Sequence, residues 1–473
     1  MDKSASSIQG LGRAAFVEEQ DAAFEERAIP SGRGRIEARS RGAKPLEPEI
    51  LCAEDGRLGW RVRLPRGLPL ATPAVMGDRV FVGGGFGSHE VYSFDAGSGA
   101  LRWQIRTGDD GPTAAVAEGE RVAFNTESCT VYVIDAVTGK EIWHEWLGDP
   151  LMAQPAIGAS MVFMAYPDQR HRHHIAAFDL EGGRKRWETE IIADLITAPV
   201  VAGDAVYAVT LDGTLYQVDR ETGEKRWSLA GRATSAPWIH RGKIYVSLRE
   251  EGDDRGGGPR GRVFEGHATA NLSDLLAGLG RTFSRRKAEY LKENESEPVQ
   301  EYYAKQDAGV GFASAPAAAK IPLSAKHLGL GRVSSVWSYQ GSRPEVFDDG
   351  IFSTLDDVVQ RLDLETRKPI WRGRLAHCEK APLGRVLSPP AVTTERLYLT
   401  SASGDLIALD RSSGRAEWAL NVGSPILSQP AVAGGRVFFG TADGALYAFD
   451  AGDADLRGWP MWGGGAGHNG AEC

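Results

Sequence analysis

The chain has 473 residues and a mass of 51.0 kDa. This length exceeds that of a domain built around one ordinary hydrophobic core. Its net charge of −9 excludes a sequence-wide basic surface, so nucleic acid is not an expected partner. No stretch approaches the roughly twenty apolar residues that cross a bilayer, so no transmembrane segment is expected. The 4 cysteines are far apart and form no CxxC pair.

The N-terminal segment is rich in Glu, Arg, Ala and Ser. We expect residues 1–50 to form a flexible tail, or a strap on the outside of the domain that follows. The first residues lack the apolar core of a secretory signal. If Met1 is the native start, the expected compartment is the cytoplasm. If a signal has been removed from this chain, the expected compartment is the periplasm or another exported location.

Between Thr72 and Asp450 the chain repeats one phrase eight times. Each repeat opens on a small residue, usually followed by Pro, and continues as a short apolar strand. The openings lie at residues 72–75, 113–116, 154–157, 198–201, 236–239, 334–337, 389–392 and 429–432. Most are about forty residues apart, a period typical of repeat architectures.

Seven repeats close on an aspartate, and six of these are followed by a tryptophan eight residues later. The aspartates are Asp95, Asp135, Asp179, Asp219, Asp363, Asp410 and Asp450. We predict that each carboxylate caps a turn by accepting bonds from backbone amides, while a glycine of the turn takes positive φ. Such turns join antiparallel strands, so each repeat supplies four short strands. Four strands per repeat indicate an all-β fold, a β-propeller over residues 51–473.

The run Trp60–Leu64 resembles the outer strand of a repeat whose first three strands are missing. The last repeat begins at Gln429, and its end runs into residues 459–464, where Pro and Gly discourage a strand. We therefore predict that the N-terminal strand pairs with the last repeat. This pairing would close the ring and remove two exposed sheet edges.

The fifth repeat lacks its turn and its tryptophan, and an insertion over residues 250–330 separates it from the sixth. Apolar residues at helical spacing in the insertion predict an amphipathic helix. Two interpretations stay open: the apolar face packs on the propeller wall, or the helix docks a partner protein. The candidate partner-docking residues are Leu272, Leu275, Leu276, Leu279, Phe283, Arg285 and Arg286.

The repeat at residues 215–227, Leu-Tyr-Gln-Val-Asp-Arg-Glu-Thr-Gly-Glu-Lys-Arg-Trp, resembles the pyrroloquinoline-quinone (PQQ) repeat. The resemblance covers residues 58–462. It implies an eight-bladed ring of four-stranded antiparallel blades. The tryptophans expected to dock blade on blade are Trp60, Trp103, Trp143, Trp187, Trp227, Trp371 and Trp418. The same repeats build quinoprotein dehydrogenases, the propeller lipoprotein of the bacterial outer-membrane barrel-assembly machinery, and propellers with no known chemistry.

Quinoprotein alcohol dehydrogenases of this family hold their cofactor in the central funnel with a vicinal disulfide, a stacked Trp, and a calcium bound by Glu, Asn and Asp. This sequence has no adjacent cysteines, and the Glu, Asn and Asp set has no matching positions. The repeated aspartates cannot substitute, because six of them share one turn geometry. We expect no cofactor, with PQQ and calcium as the alternative.

The densest imidazole cluster contains His171, His173 and His174, in a loop between two strands of the third repeat. Such spacing binds divalent metal weakly, but two interleaved arginines argue against a metal site, and a solvated hairpin tip is expected. Cys129 is expected to be a buried thiol. No catalytic residue is assigned.

These observations favour a non-catalytic propeller that acts as a protein–protein interaction or assembly scaffold, either monomeric or as a subunit of a larger assembly. Two alternatives stay open. One is a quinoprotein oxidoreductase that binds PQQ in the central funnel. The other is a propeller that binds a glycan or another small ligand.

Overall fold

A computed structural model describes residues 26–32, 36–39, 44–85, 87–109, 111–126, 128–148, 154–170, 172–192, 198–210, 214–229, 237–248, 262–267, 344–355, 357–366, 368–376, 387–426, 428–452, 458–459, 461 and 464–467. Within these ranges all regular secondary-structure elements are β-strands, so the all-β class is confirmed. The predicted helix of the insertion and all seven of its candidate docking residues lie outside the described residues.

Four strands precede the first repeat: β1 (Arg27–Ile29), β2 (Ile36–Ala38), β3 (Glu49–Ala53) and β4 (Leu58–Arg63). They are followed by sheets that we number one to eight in chain order. Sheet one contains β5 (Ala74–Met76), β6 (Arg79–Gly83), β7 (Glu90–Asp95) and β8 (Leu101–Arg106). Sheet two contains β9 (Val116–Glu118), β10 (Arg121–Asn125), β11 (Thr130–Asp135) and β12 (Glu141–Trp146).

Sheets three to five continue the same antiparallel order. Sheet three contains β13 (Ala156–Gly158), β14 (Met161–Pro167), β15 (His173–Asp179) and β16 (Lys185–Ile191). Sheet four contains β17 (Val200–Ala202), β18 (Ala205–Val209), β19 (Leu215–Asp219) and β20 (Lys225–Leu229). Sheet five has three strands in the described part of the chain, β21 (Trp238–His240), β22 (Lys243–Leu248) and β23 (Arg262–His267).

The last three sheets also recruit strands from the two ends of the chain. Sheet six contains β24 (Glu345–Phe347), β25 (Gly350–Leu355), β26 (Val358–Leu362) and β27 (Pro369–Leu375), with β1 added. Sheet seven contains β28 (Ala391–Thr393), β29 (Arg396–Thr400), β30 (Asp405–Asp410) and β31 (Ala416–Asn421), with β35 (Gly458–Trp459) added. Sheet eight contains β32 (Ala431–Ala433), β33 (Arg436–Gly440) and β34 (Ala445–Asp450), with β4, β3 and β2 added.

The sixth repeat opens later than the sequence predicted. Its first strand is β24, which begins at Glu345 and follows Pro344, whereas the predicted opening was at residues 334–337. The sequence Pro-Glu-Val-Phe from Pro344 takes the place of the Pro-Ala-Val phrase of the other repeats. The repeat pattern did not identify this opening, because the charged Glu345 interrupts the apolar run although its side chain is 1% exposed.

The N-terminal strand β4 pairs antiparallel with β34 of the last sheet, with Arg61 opposite Tyr447. Glu49 on β3 pairs with Arg61 and with Arg63, the latter at 2.5 Å. Burial alone would raise the pKa of Glu49, but the two arginines outweigh it and the pKa is lowered. The pairing of this strand with the last repeat, which the sequence predicted, is therefore present.

Part of the segment expected to be a flexible tail is paired with the sheets. Strand β1 lies parallel to β27, and its Ile29 is 1% exposed. Ser31 then donates to the buried carboxylate of Asp405 at 2.8 Å, and the Gly32 amide donates to the same oxygen at 3.0 Å. The segment from β1 to β3 thus passes along sheets six, seven and eight, as a strap would.

One contact recurs between neighbouring sheets. A tryptophan of the fourth strand donates its indole N–H to the carbonyl of the residue after the turn aspartate of the next sheet. The pairs are Trp60–Ala96 at 3.1 Å, Trp103–Ala136 at 3.0 Å, Trp143–Leu180 at 2.8 Å, Trp187–Arg220 at 2.8 Å and Trp371–Arg411 at 3.2 Å. In each case the indole ring also lies on the glycine that ends the same turn.

The other two repeat tryptophans depart from this pattern. The sequence of the fifth repeat lacks the aspartate turn that would accept from Trp227. The indole nitrogen of Trp227 has no hydrogen-bond partner among the described residues. The second exception is Trp418, where the guanidinium of Arg57 lies 4.0 Å from the ring centroid. Arg57 also donates to the carbonyl of Asp450 at 2.5 Å, so it stands between the tryptophan and the turn of sheet eight.

The glycine under the indole gives a stability prediction. A Cβ on Gly223 would lie 2.6 Å from the ring of Trp187, whereas a Cβ on Gly203 would meet nothing within 4 Å. Both glycines have positive φ, 74° and 59°, so both alanine variants carry the backbone strain. We expect Gly223→Ala to lower the free energy of unfolding by about 2 kcal/mol more than Gly203→Ala does. Denaturant unfolding measures this difference, and equal losses would contradict the contact.

Candidate functional site: the channel edges and the outer edges

The turn aspartates form a repeated local structure. Five of them accept a hydrogen bond from the backbone amide three residues later, at 2.7–2.8 Å. These are Asp95, Asp135, Asp219, Asp363 and Asp410. Asp179 binds Arg184 and Arg186, and the residue three positions after it is a glycine, which has no hydroxyl to donate. Asp450 pairs with Arg436 at 3.6 Å.

These carboxylates are held in the charged state. Hydrogen bonds from the Ser98 hydroxyl and amide, together with Arg102, lower the pKa of Asp95 to about 2. The Thr138 hydroxyl and amide lower the pKa of Asp135 in the same way. A carboxylate with a lowered pKa is a poor general acid or base at neutral pH, so this arrangement fits turn capping.

The first strands of the sheets contact one another in order. β32 contacts β5, and β5, β9, β13 and β17 follow in sequence, while β21 contacts β24. In a closed propeller the inner edges of these strands would line an axial channel, so we call them the channel edges. The channel is where a cofactor would bind if this chain were a quinoprotein.

The C-terminal segment of the chain crosses these edges. β35 pairs with β28, with Trp459 opposite Val392. Further along, the carbonyl of Ala466 accepts from the Ala117 amide at 2.6 Å, and that of Gly467 accepts from the Ile157 amide at 2.8 Å. One short segment therefore bonds to the inner strands of sheets seven, two and three.

The polar residues around the channel do not match the expected quinone site. Gln429 donates to the Pro390 carbonyl at 2.7 Å and to Glu345 at 3.3 Å, so that buried carboxylate is engaged within the protein. Among the described residues, no three His, Cys, Asp or Glu side chains are grouped to hold a metal ion.

The two described histidines of the cluster, His173 and His174, lie on different faces of one sheet. His173 and His174 are neighbours on β15, so their side chains point to opposite faces of sheet three, and His171 lies outside the described residues. His174 Nε2 lies 3.3 Å from Asp168 Oδ2, and Asp168 also binds Arg172 at 2.7 Å. Both described histidines are buried, so the expected solvated hairpin tip is wrong for them.

A tyrosine beside this cluster is equally unsuited to base catalysis. Tyr166 donates its hydroxyl to Glu188, which Lys185 also binds at 2.7 Å. Burial and the Glu188 charge raise the pKa of Tyr166, so the phenol stays protonated. Cys129, in the same apolar cluster as Tyr166, is 0% exposed, so its thiol is buried as the sequence predicted.

The outer edges differ from the channel edges. The fourth strands β8, β12, β16 and β20 each end their sheet, with no neighbouring strand on the outer side among the described residues. Large apolar side chains are exposed near them, with Ile192 at 72%, Trp146 at 53% and Val137 at 51%. In the part of the chain that the structure describes, no helix is long and apolar enough to cross a membrane.

Sequence reasoning missed several of these residues. Asp405 anchors the N-terminal segment, yet Ser31 lies 374 residues away from it in sequence. Arg57 and the carbonyls of Ala466 and Gly467 carry no local pattern either. Only the unusual break in the repeat at sheet five could have pointed to the unpaired indole of Trp227.

The four-stranded antiparallel sheets and their repeated tryptophan contacts are those of a β-propeller built from PQQ-like repeats. Comparison with known proteins gives the same class. The chain belongs to the PQQ_2 family, described as "Outer membrane protein assembly factor BamB", whose model matches residues 48–252 and 355–459. The PQQ-like repeat resemblance is therefore confirmed.

Individual relatives are distant. The outer membrane protein assembly factor BamB of Burkholderia pseudomallei is 28% identical over 141 residues, which cover 26% of this chain and 33% of that protein. BamB of Nitrosomonas eutropha is 25% identical over 213 residues, 41% of this chain and 49% of that protein. The matches thus span a third to a half of these relatives. The crystal structure of BamB from Moraxella catarrhalis has a TM-score of 0.52 at 16% identity, covering 82% of this chain and 96% of that chain, which shows the fold alone.

The pKa of Asp95 gives a prediction on acid stability. Because its folded pKa of about 2 lies below the unfolded value of about 3.9, its contribution is complete above about pH 4 and is lost as pH falls through about 2. We expect Asp95→Asn to be less stable than the wild type at pH 7, with the difference shrinking between pH 4 and pH 2. Unfolding titrations measure it. The control is Glu224→Gln, at an exposed carboxylate outside this turn. A constant difference for Asp95→Asn would contradict the role of the turn.

The C-terminal segment gives a second prediction. A chain truncated before Gly458 loses the acceptors of the Ala117 and Ile157 amides. We expect hydrogen exchange at these two amides to accelerate by orders of magnitude. The amide of Ala123, in the interior strand β10, serves as the control and should change little. Unchanged protection at Ala117 and Ile157 would show that the segment does not cover the channel edges.

Proposed function

We propose that this chain is a non-catalytic PQQ-like repeat propeller of eight blades that holds partner proteins on its outer surface as an assembly scaffold. Each of the eight sheets is one blade, and β4 closes the ring as the outer strand of the last. The pairing of β4 with β34 and the contact of β32 with β5 support closure. In this arrangement the repeat tryptophans dock blade on blade, and no cofactor is required.

The observation that carries this proposal is the difference between the two kinds of strand edge. Inner edges of three sheets are bonded to the chain's own C-terminal segment. The outer strands β8, β12, β16 and β20 have no further strand beside them within the described ranges, and exposed apolar side chains such as Ile192 and Trp146 lie next to them. Unpaired edges next to exposed apolar groups favour binding to other proteins. Binding of PQQ, a glycan or another small ligand in the channel would require the C-terminal segment to move.

The family supports the same role. Its description names an assembly factor of the outer membrane. That description favours the exported compartment of the two that the sequence left open, and the cytoplasmic alternative has no support among these relatives. The identity of the partner protein is not implied by the fold.

Crosslinking in cells tests the scaffold role. A photoreactive amino acid at Ile192, which is 72% exposed, is expected to give discrete adducts with another protein after illumination. The same group at Asp78, whose side chain is also exposed, is the control and should give none. Absence of adducts at Ile192 and at Ile370 would contradict the proposal. Deleting residues 270–300 tests the insertion separately, because unchanged adducts would remove it as a docking face.

A binding titration separates the scaffold from the quinoprotein alternative. Purified protein is mixed with PQQ and calcium, and the cofactor absorption band is followed after removal of free quinone. We expect no retained band, because the described residues around the channel do not form the calcium set. Stoichiometric retention would overturn the non-catalytic assignment.

A further inference from the structure

The outer edge of sheet two differs in charge from the other free outer edges. Its edge strand β12 carries Glu141 and Glu145 and no Lys or Arg. The edge strand β8 carries two arginines, β20 carries a lysine and an arginine, and β16 carries two residues of each sign. The edge of β12 is therefore the acidic one among these four, with Lys140 in the turn before it.

The side chains of this edge are accessible. Glu141 and His144 are 50% and 52% exposed, and the Nδ1 of the histidine lies 2.8 Å from that glutamate. Trp146 ends the strand with 53% of its surface exposed, while its indole N–H donates to the Ser128 carbonyl at 3.1 Å. That bond fixes the orientation of the indole ring. A flat apolar surface therefore lies at one end of the acidic strand β12, whose outer side has no neighbouring strand among the described residues.

The same molecule shows how an outer edge of this kind is covered. On sheet six, β1 adds alongside the edge strand β27, with Arg27 opposite Gly373. Glu26 next to β1 pairs with Arg374 of the edge strand at 2.5 Å, and Ile29 buries its side chain over Gly373. Strand addition there combines opposite charges across the seam with one apolar anchor.

We propose that the edge of β12 binds an extended basic segment of a partner protein, which adds to sheet two as a fifth strand. A bulge in β12 places Glu141 on the same face of sheet two as Trp146, and Glu145 on the opposite face. One lysine or arginine of the segment therefore lies beside Glu141 and another beside Glu145 on the other face, and an apolar side chain packs on Trp146. Backbone hydrogen bonds supply the affinity, and the charges select the segment. This inference rests on the scaffold function and gives it a specific surface and a class of ligand.

A defined peptide tests this inference. The probe is a labelled eight-residue peptide that repeats two lysines and two valines, so that each face of the added strand carries lysines, and its matched control repeats two glutamates and two valines. We expect the full chain to bind the lysine peptide at least about tenfold more tightly. Hydrogen exchange should show new protection at residues 141–146 when the lysine peptide is bound. Equal affinity for the two peptides, or protection elsewhere only, would overturn the proposal.

Charge reversal locates the binding. The double variant Glu141→Lys with Glu145→Lys should reverse the preference between the peptides, and Trp146→Ser should weaken binding of both. The matched control is Glu190→Lys on β16, a glutamate whose side chain is 56% exposed, and it should leave the affinities unchanged. An equal loss in the control would show nonspecific attraction.

Two further outcomes also decide against this edge as a partner site. If ultracentrifugation shows that the wild type self-associates and the double variant does not, a second copy of this chain, with its basic β8 edge, is the occupant. If the peptides fail to bind but the Ile192 crosslinks persist, the edge inference fails while the scaffold function stands.

Discussion

The structure depends on one inter-sheet contact, in which an indole lies on the turn of the next sheet and donates its N–H to that turn. Each contact combines burial of a large aromatic ring with a hydrogen bond to a carbonyl that would otherwise lose its partner. The geometry requires a glycine without a side chain under the ring and a carboxylate that holds the turn in shape. The same three residues recur at five junctions between neighbouring sheets, so one local geometry is repeated along the chain.

The junctions that lack this contact lie where the repeat is irregular or where an added segment contacts the sheets. The sequence of the fifth repeat lacks the turn motif, and Trp227 is buried without an acceptor among the described residues. At the next junction Trp238 lies against Phe347, with ring centroids 5.4 Å apart. At sheet eight an arginine from the N-terminal segment replaces the glycine contact of Trp418. Both ends of the chain are used to complete the sheets, since β1 to β4 cover outer edges and the C-terminal segment covers inner ones.

Local signals were enough to predict the fold. The Asp–Trp spacing and the turn glycines encode a geometry that forms within a few residues, so the all-β class, the repeat and the pairing of the Trp60 strand were accessible from the sequence. Contacts between distant segments were not. Ser31 with Asp405, and Gly467 with Ile157, join residues far apart in sequence through backbone atoms or single side chains, which leave no periodic pattern. The expected exposure of the histidine cluster was wrong for His173 and His174, because both belong to the buried strand β15 and not to the hairpin tip.

The indole contact itself can be observed by NMR with the tryptophans labelled with nitrogen-15. The proton chemical shifts of the indole N–H groups report directly on hydrogen bonding. The account predicts downfield, hydrogen-bonded signals for Trp60, Trp103, Trp143, Trp187 and Trp371, and an unbonded signal for the buried Trp227. Assigned spectra in which Trp227 matches the other five, or in which those five show no hydrogen-bond shift, would contradict it.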